Sequence, residues 1–224
     1  KLDKATDTFT KYRHDPDDST SISSDRTLFP FVDSRGDLWV STGAGLNRMK
    51  AGEEGIFQHY NHVHEDLTTI SSNTTFYVNE DPQGFIWVGT GNGASRINPE
   101  TDEITRFLND SSRTERYGTP MNILDQYFPP DEPNIVWLAT GNGLVHLNYE
   151  TNEYERYLIE ANTDLVDPRN LIHEVVPDPE FPGVFWVAGP STGVARFDIR
   201  TKNFTKYRHN PIDPNSLAED YVQS

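Results

Sequence analysis

The chain has no cysteine, which excludes disulfides, thiolate metal sites and a cysteine nucleophile and leaves the redox compartment open. Positive charge is scarce. Lys and Arg number 19 against 35 Asp and Glu, a formal net charge of -16. Most of the surface therefore repels a phosphate backbone or an anionic membrane, and nucleic acid is not expected as a partner. No apolar run approaches the roughly 18 residues that a membrane-spanning helix needs. The opening Lys1, Leu2 and Asp3 show neither an initiator Met nor the apolar centre of a signal peptide, so the chain reads as a processed or excised segment. No serine is expected in a Gly-x-Ser-x-Gly elbow, and no His-Glu-x-x-His pair occurs. Hydrophobic residues make up 34%. Spread evenly they would point to disorder, but they gather in short recurring runs rich in aromatics, so a folded chain is expected.

What recurs is tryptophan. The four indoles, Trp39, Trp87, Trp137 and Trp186, are separated by 48, 50 and 49 residues. The phrase Asp33-Ser-Arg-Gly-Asp-Leu-Trp-Val-Ser-Thr-Gly-Ala-Gly45 returns as Asp81-Pro-Gln-Gly-Phe-Ile-Trp-Val-Gly-Thr-Gly-Asn-Gly93, with looser copies over 131–144 and 178–194. A period near 50 residues built from short strand-like runs predicts an all-β protein, a β-propeller of about 49-residue four-stranded antiparallel blades. In the clearest unit the strands read 74–79, 85–89, 94–97 and 103–107, joined by Pro/Gly and Asn/Asp turns. Phe85, Ile86, Trp87 and Val88 include no polar residue, as expected of a strand covered on both faces, so the indoles are assigned to filling the space between blades. The glycine pairs at 43/45, 91/93 and 141/143 resemble phosphate-cradling loops, yet no helix follows. They are read as hairpin turns that need φ > 0. The fourth turn, 189–193, is one residue longer and is expected to differ in shape.

Thr8-Phe-Thr-Lys-Tyr-Arg-His-Asp-Pro16 returns as Asn203-Phe-Thr-Lys-Tyr-Arg-His-Asn-Pro211, an offset of 195 residues or four repeats. The chain is therefore expected to be one propeller segment over 1–224: the last strand of a preceding blade (1–15), whole blades over 16–62, 63–110, 111–160 and 161–211, and the first strand of a following blade (212–224). Such a segment leaves open edges, to be completed by further blades of a parent ring or by another copy of the chain.

The pattern Asp-x-x-Gly-x-[Leu/Ile]-Trp-Val-x-Thr-x-x-Gly-[Leu/Ala], followed by an aromatic fourth strand, resembles the two-component regulator propeller repeat. The resemblance covers essentially the whole chain, with its best copies at 33–46 and 81–94. It implies a bacterial, non-catalytic ligand-sensing ectodomain of a hybrid sensor kinase, periplasmic or extracellular, often responsive to polysaccharide breakdown products. The expected ligand is thus an oligosaccharide or another small polar molecule, or a protein partner, met on the loop face. No cofactor, metal or insertion into a membrane is expected. The alternatives are a propeller lyase or glycoside hydrolase, and a purely structural scaffold.

Eight residues before the turn Asp stand Asp25, Asn73 and Asn170, with Asn122 as the nearest counterpart in the third unit. They form either a ring of polar groups at the channel mouth or Asx side chains capping their own turns. Near them the repeats diverge: Arg26, Arg113, Arg116, Tyr117, Arg169 and His173 offer hydrogen-bond forks and a stacking face to a sugar or carboxylate. All ten are candidate ligand contacts. His59, His62 and His64 with Glu65 and Asp66 make up the densest histidine cluster, and ordinary loop histidines explain it better than a metal. Asp33 and Asp81 are read as Asx turn starts rather than calcium ligands. No catalytic residue is assigned, although His173 with Asp125 or Glu174 would supply acid and base if folding brought them together.

Overall fold

The computed structural model describes residues 1–109, 121–160 and 167–222. A two-stranded hairpin, β1 (Leu2–Asp3) with β2 (Thr8–Phe9), precedes four antiparallel sheets of four strands each. The first blade comprises β3 (Thr27–Val32), β4 (Leu38–Thr42), β5 (Gly45–Met49) and β6 (Gln58–Tyr60); the second β7 (Thr75–Glu80), β8 (Ile86–Thr90), β9 (Gly93–Ile97) and β10 (Ile104–Phe107). The third has β11 (Ile123–Tyr127), β12 (Ile135–Thr140), β13 (Gly143–Asn148) and β14 (Glu153–Tyr157); the fourth β15 (Glu174–Pro177), β16 (Val184–Gly189), β17 (Gly193–Asp198) and β18 (Asn203–Tyr207). Strands pair in chain order within every blade. The first strands of successive blades pack on one another, β3 on β7, β7 on β11 and β11 on β15. They are therefore the inner edges of a propeller arc, and no comparable packing joins β15 back to β3.

The second strands carry the tryptophans, one per sheet, and each indole is seated on the next blade. Trp39 clusters with Ile86, Val88 and Ile97; Trp87 with Val136, Leu138, Val145 and Leu147; Trp137 with Phe185, Val187, Ala195 and Phe197. Removing an indole so buried typically costs about 3–5 kcal/mol. Trp186 alone of the four is partly exposed, and among the described residues no blade covers its face.

The indole nitrogens explain the turn aspartates. Asp33, Asp81 and Asp178 accept Trp39, Trp87 and Trp186 Nε1 at 3.0, 2.9 and 2.9 Å. Their other carboxylate oxygens accept backbone N–H groups of the turn, from Arg35 and Asp37, from Gln83 and Phe85, and from Glu180 and Phe181. Trp137 Nε1 is buried without a hydrogen-bond partner. Spacing alone suggests Asp131 as its acceptor, six residues before the Trp as in the first two blades, but strand register places Pro129 there. The inner-strand residue opposite the Trp precedes it by eight in Phe31/Trp39 and Asn79/Trp87, but by ten in Tyr127/Trp137 and Val176/Trp186. Two residues beyond it lie Asp33, Asp81, Pro129 and Asp178. The third copy of the repeat is thus displaced from where its Trp suggests.

Four further expectations change. Only the second glycine of each hairpin pair has positive φ: at Gly45 it is +102°, and a Cβ would lie 2.7 Å from Tyr60 O, whereas Gly43 has no such restriction. The segment 212–224, expected as a first strand, forms none among its described residues. Its only bridge joins Leu217 to His209, and Asp220 accepts His209 N at 2.6 Å, as Asp25 and Asn73 accept His14 N and His62 N. It is a lead-in loop, and a first strand needs a second strand beside it. At the other end the strand expected within 1–15 is confined to Thr8–Phe9. Gly189, Ser191 and Gly193 do spell Gly-x-Ser-x-Gly, but Ser191 lies in a strand-to-strand turn between β16 and β17, without the helix that a nucleophile elbow requires.

Candidate functional site

The residues around the lead-in loops hold those loops shut. Asp25 Oδ1 accepts His14 N at 2.9 Å, Asn73 Oδ1 accepts His62 N at 2.7 Å and the buried Asn170 accepts Glu160 N at 2.7 Å. In the same loops the imidazoles of His14, His62 and His209 meet the carbonyls of Ile22, Ile70 and Leu217 at 2.8–2.9 Å. His62 is therefore a loop clamp, His59 Nε2 meets Ser21 O at 2.7 Å and His64 is 92% exposed. Among the described residues no group of three or more His, Cys, Asp or Glu is arranged to hold a metal. Asn122 does not share the place of Asn73. Its carbonyl accepts Gly141 N as those of Arg26 and Thr74 accept Gly43 N and Gly91 N, while Met121 occupies the Asn73 position through Gly93 N. The guanidinium of Arg169 lies on Asp167, at 2.6 Å from its Oδ2. Arg113, Arg116 and Tyr117 lie outside the described residues.

The inner strands build something else. A cavity of about 250 Å³ is lined, among the described residues, by Phe29 of β3, Phe76 and Tyr77 of β7, Leu124 and Asp125 of β11, and His173 and Glu174 at the start of β15. All four blades contribute. Register shows that they do so from equivalent positions. Pro30, Val78, Gln126 and Val175 each face the residue that follows the Trp. One residue earlier stand Phe29, Tyr77, Asp125 and Glu174; one earlier again stand Leu28, Phe76, Leu124 and His173. In the first three blades the register slips immediately beside these residues. Such bulges re-aim side chains and terminate regular pairing.

Fold stability does not explain this variety. The Trp, turn Asp and hairpin Gly recur because packing demands them, whereas one inner position holds two aromatics and then two carboxylates. Asp125 is buried, with Oδ2 accepting Val175 N at 3.0 Å. Burial pushes its carboxyl up to about 6, Glu174 adds to the shift, and the N–H groups of Val175 and Gln126 oppose it. Burial raises the Tyr77 phenol, helped by the charges of Asp125 and Glu174, and burial lowers the His173 imidazole. Among the sequence candidates that are described, His173 alone lines the cavity, and Asp125 and Glu174 join it there. Phe29, Phe76, Tyr77 and Leu124 were missed. The available signal was divergence at a fixed inner-strand position, which the unequal loops before Trp137 and Trp186 conceal.

Residues 69–92 match the sequence model of the family described as two component regulator propeller. No curated protein matches the chain by sequence. Among solved structures, the fold is similar to the extracellular domain of BT3049 of B. thetaiotaomicron, described as a hybrid two component system, at TM-score 0.67 and 18% identity over 84% of this chain and 25% of that one. It is similar to the extracellular domain of BT4673 of the same organism, described likewise, at TM-score 0.65 and 19% identity over 97% and 28% of the two chains. A virginiamycin B lyase of Staphylococcus aureus shares the fold at TM-score 0.53 and 16% identity over 84% and 57%. The chain thus spans about a quarter of the length of the first two. Among the described residues no helix is long and apolar enough to cross a membrane.

Proposed function

Since this chain is a β-propeller carrying the two-component regulator propeller repeat, we propose that it is the non-catalytic ligand-sensing segment of a bacterial two-component sensor, exposed outside the cytoplasm. In this reading its inner-edge cavity receives a small polar ligand of carbohydrate type. One observation carries the reading: equivalent inner-strand positions, invariant in role, hold different side chains in each blade and converge on one cavity. Phe29 and Tyr77, 40% and 36% exposed with centroids 5.2 Å apart, offer rings against which a sugar face can stack. Asp125 and Glu174 offer acceptors for hydroxyls. Signalling by such a segment is a population shift, so the ligand must bind one arrangement of the blades better than another.

The gathering of His173, Asp125 and Glu174 in one cavity also supports a lyase or hydrolase reading, since an acid and a base lie together there. Calorimetric titration with mono- and oligosaccharides, with product analysis of the same samples, separates the two. Saturable heat without new products is the expected result; turnover lost in His173→Ala would establish the enzyme instead.

A further inference from the structure

The chemistry of the cavity wall is uneven in a way that selects for charge. Going along the arc at one equivalent position, the side chains are Phe29, Tyr77, Asp125 and Glu174, with Phe76 beside the second. One half of the wall is aromatic and the other half carries two carboxylates. No Lys or Arg lines the cavity among the described residues. Two arginines of the lead-in loops are paired, Arg169 with Asp167 and Arg13 with Asp25. His173 is held toward its neutral form by burial.

A neutral sugar ring would find stacking and acceptors in such a place. An anionic ligand would face two like charges in a partly desolvated site. A protonated amine gains from both halves, because ring faces and carboxylates each attract a cation. Resting on the reading that this cavity is the ligand site, we infer that its ligand carries a protonated amine on a body about the size of one sugar ring, seated between Tyr77 and Phe29 on one side and Glu174 and Asp125 on the other. The cavity volume of about 250 Å³ sits just below the usual range of small-molecule pockets, roughly 300–1,000 Å³, so a single ring is the size it suits.

The test is titration of the whole chain with glucosamine, glucose, N-acetylglucosamine, glucuronic acid and choline, followed by nuclear magnetic resonance, with circular dichroism of each variant as the folding control. Glucosamine is expected to bind at least about tenfold more tightly than glucose or N-acetylglucosamine, the scale of one desolvated cation–π or ionic contact. Glu174→Gln, which preserves shape and an acceptor oxygen, is expected to bring glucosamine binding down to the level of glucose; Tyr77→Ala is the second variant, should the first fail to fold. Equal binding of glucosamine, glucose and N-acetylglucosamine, or preference for glucuronic acid, overturns the inference while the carbohydrate-sensing reading stands. Binding of choline, a quaternary ammonium without an N–H, with no binding of any sugar supports a cation at this site and overturns both the protonated amine and the carbohydrate reading. No binding by any of the five overturns both.

Discussion

At the residue scale the turn aspartates are the strongest single determinants. Asp81 accepts two backbone N–H groups, Trp87 Nε1 and Arg96, whose guanidinium is 2.7 Å away. Asp81→Ala leaves these donors buried and unpaired and is expected to lower stability by about 3–5 kcal/mol. Asp131→Ala, at the same spacing from its Trp, is expected to fall within about 0.5 kcal/mol of the parent because Asp131 is exposed and caps no indole. Urea denaturation of the two variants checks the contrast; equal losses would mean that spacing rather than register identifies the acceptor. Asp125 predicts a pH dependence. Its carboxyl is raised from 3.8 to about 6, so between these values the folded chain retains a proton that the unfolded chain releases. The resulting stabilisation is complete below 3.8 and is lost as pH rises through about 6. At about 1.36 kcal/mol per unit the loss is of order 3 kcal/mol. The groups facing Asp125 are Tyr77 from the second blade and His173 and Glu174 from the fourth. Asp125→Asn keeps an acceptor for Val175 N and is expected to raise the melting temperature at pH 7.5 but not at pH 4; the same shift at both would contradict the assignment.

At the element scale the hairpin between second and third strands depends on one glycine of each pair. Gly45→Ala forces a Cβ into Tyr60 O at φ +102° and is expected to cost more than about 1 kcal/mol. Gly43→Ala meets only Arg26 atoms at 3.5 Å or more and is expected to be tolerated in the same thermal melts. Strand existence was legible in the sequence to within a residue: 74–79, 85–89, 94–97 and 103–107 correspond to Thr75–Glu80, Ile86–Thr90, Gly93–Ile97 and Ile104–Phe107. Apolar runs and Gly/Asn turns dictate these elements locally. The cavity was not legible, for a physical reason. Its residues are defined by register against the Trp strand, and loops two residues longer in the third and fourth blades break the count along the chain. The lead-in residues Asp25 and Asn73 looked functional because they recur; hydrogen bonding to His14 N and His62 N explains the recurrence.

At the scale of the whole molecule the two ends of the arc present unlike faces. The first blade opens a cavity of about 620 Å³ lined in part by Pro30, Val32, Leu38 and Met49, on the face that receives a neighbour's Trp in later blades. The last blade presents Trp186 with Phe181 and Tyr207, the latter two 53% and 42% exposed. Such apolar edges favour association with another blade or another copy. Light scattering of the isolated chain is expected to show mass rising with concentration, and Leu38→Lys to suppress it; a monomer at every concentration would contradict the open arc.

The central claim is that ligand meets the inner edges of the blades and not their loops. The most direct measurement is the set of backbone amide shifts on titration with a binding saccharide. Changes are expected to cluster at 28–29, 76–78, 124–126 and 173–175, with Asp25, Arg26, Asn73 and Arg169 unmoved. Changes confined to those loop residues, with the inner strands silent, would contradict it.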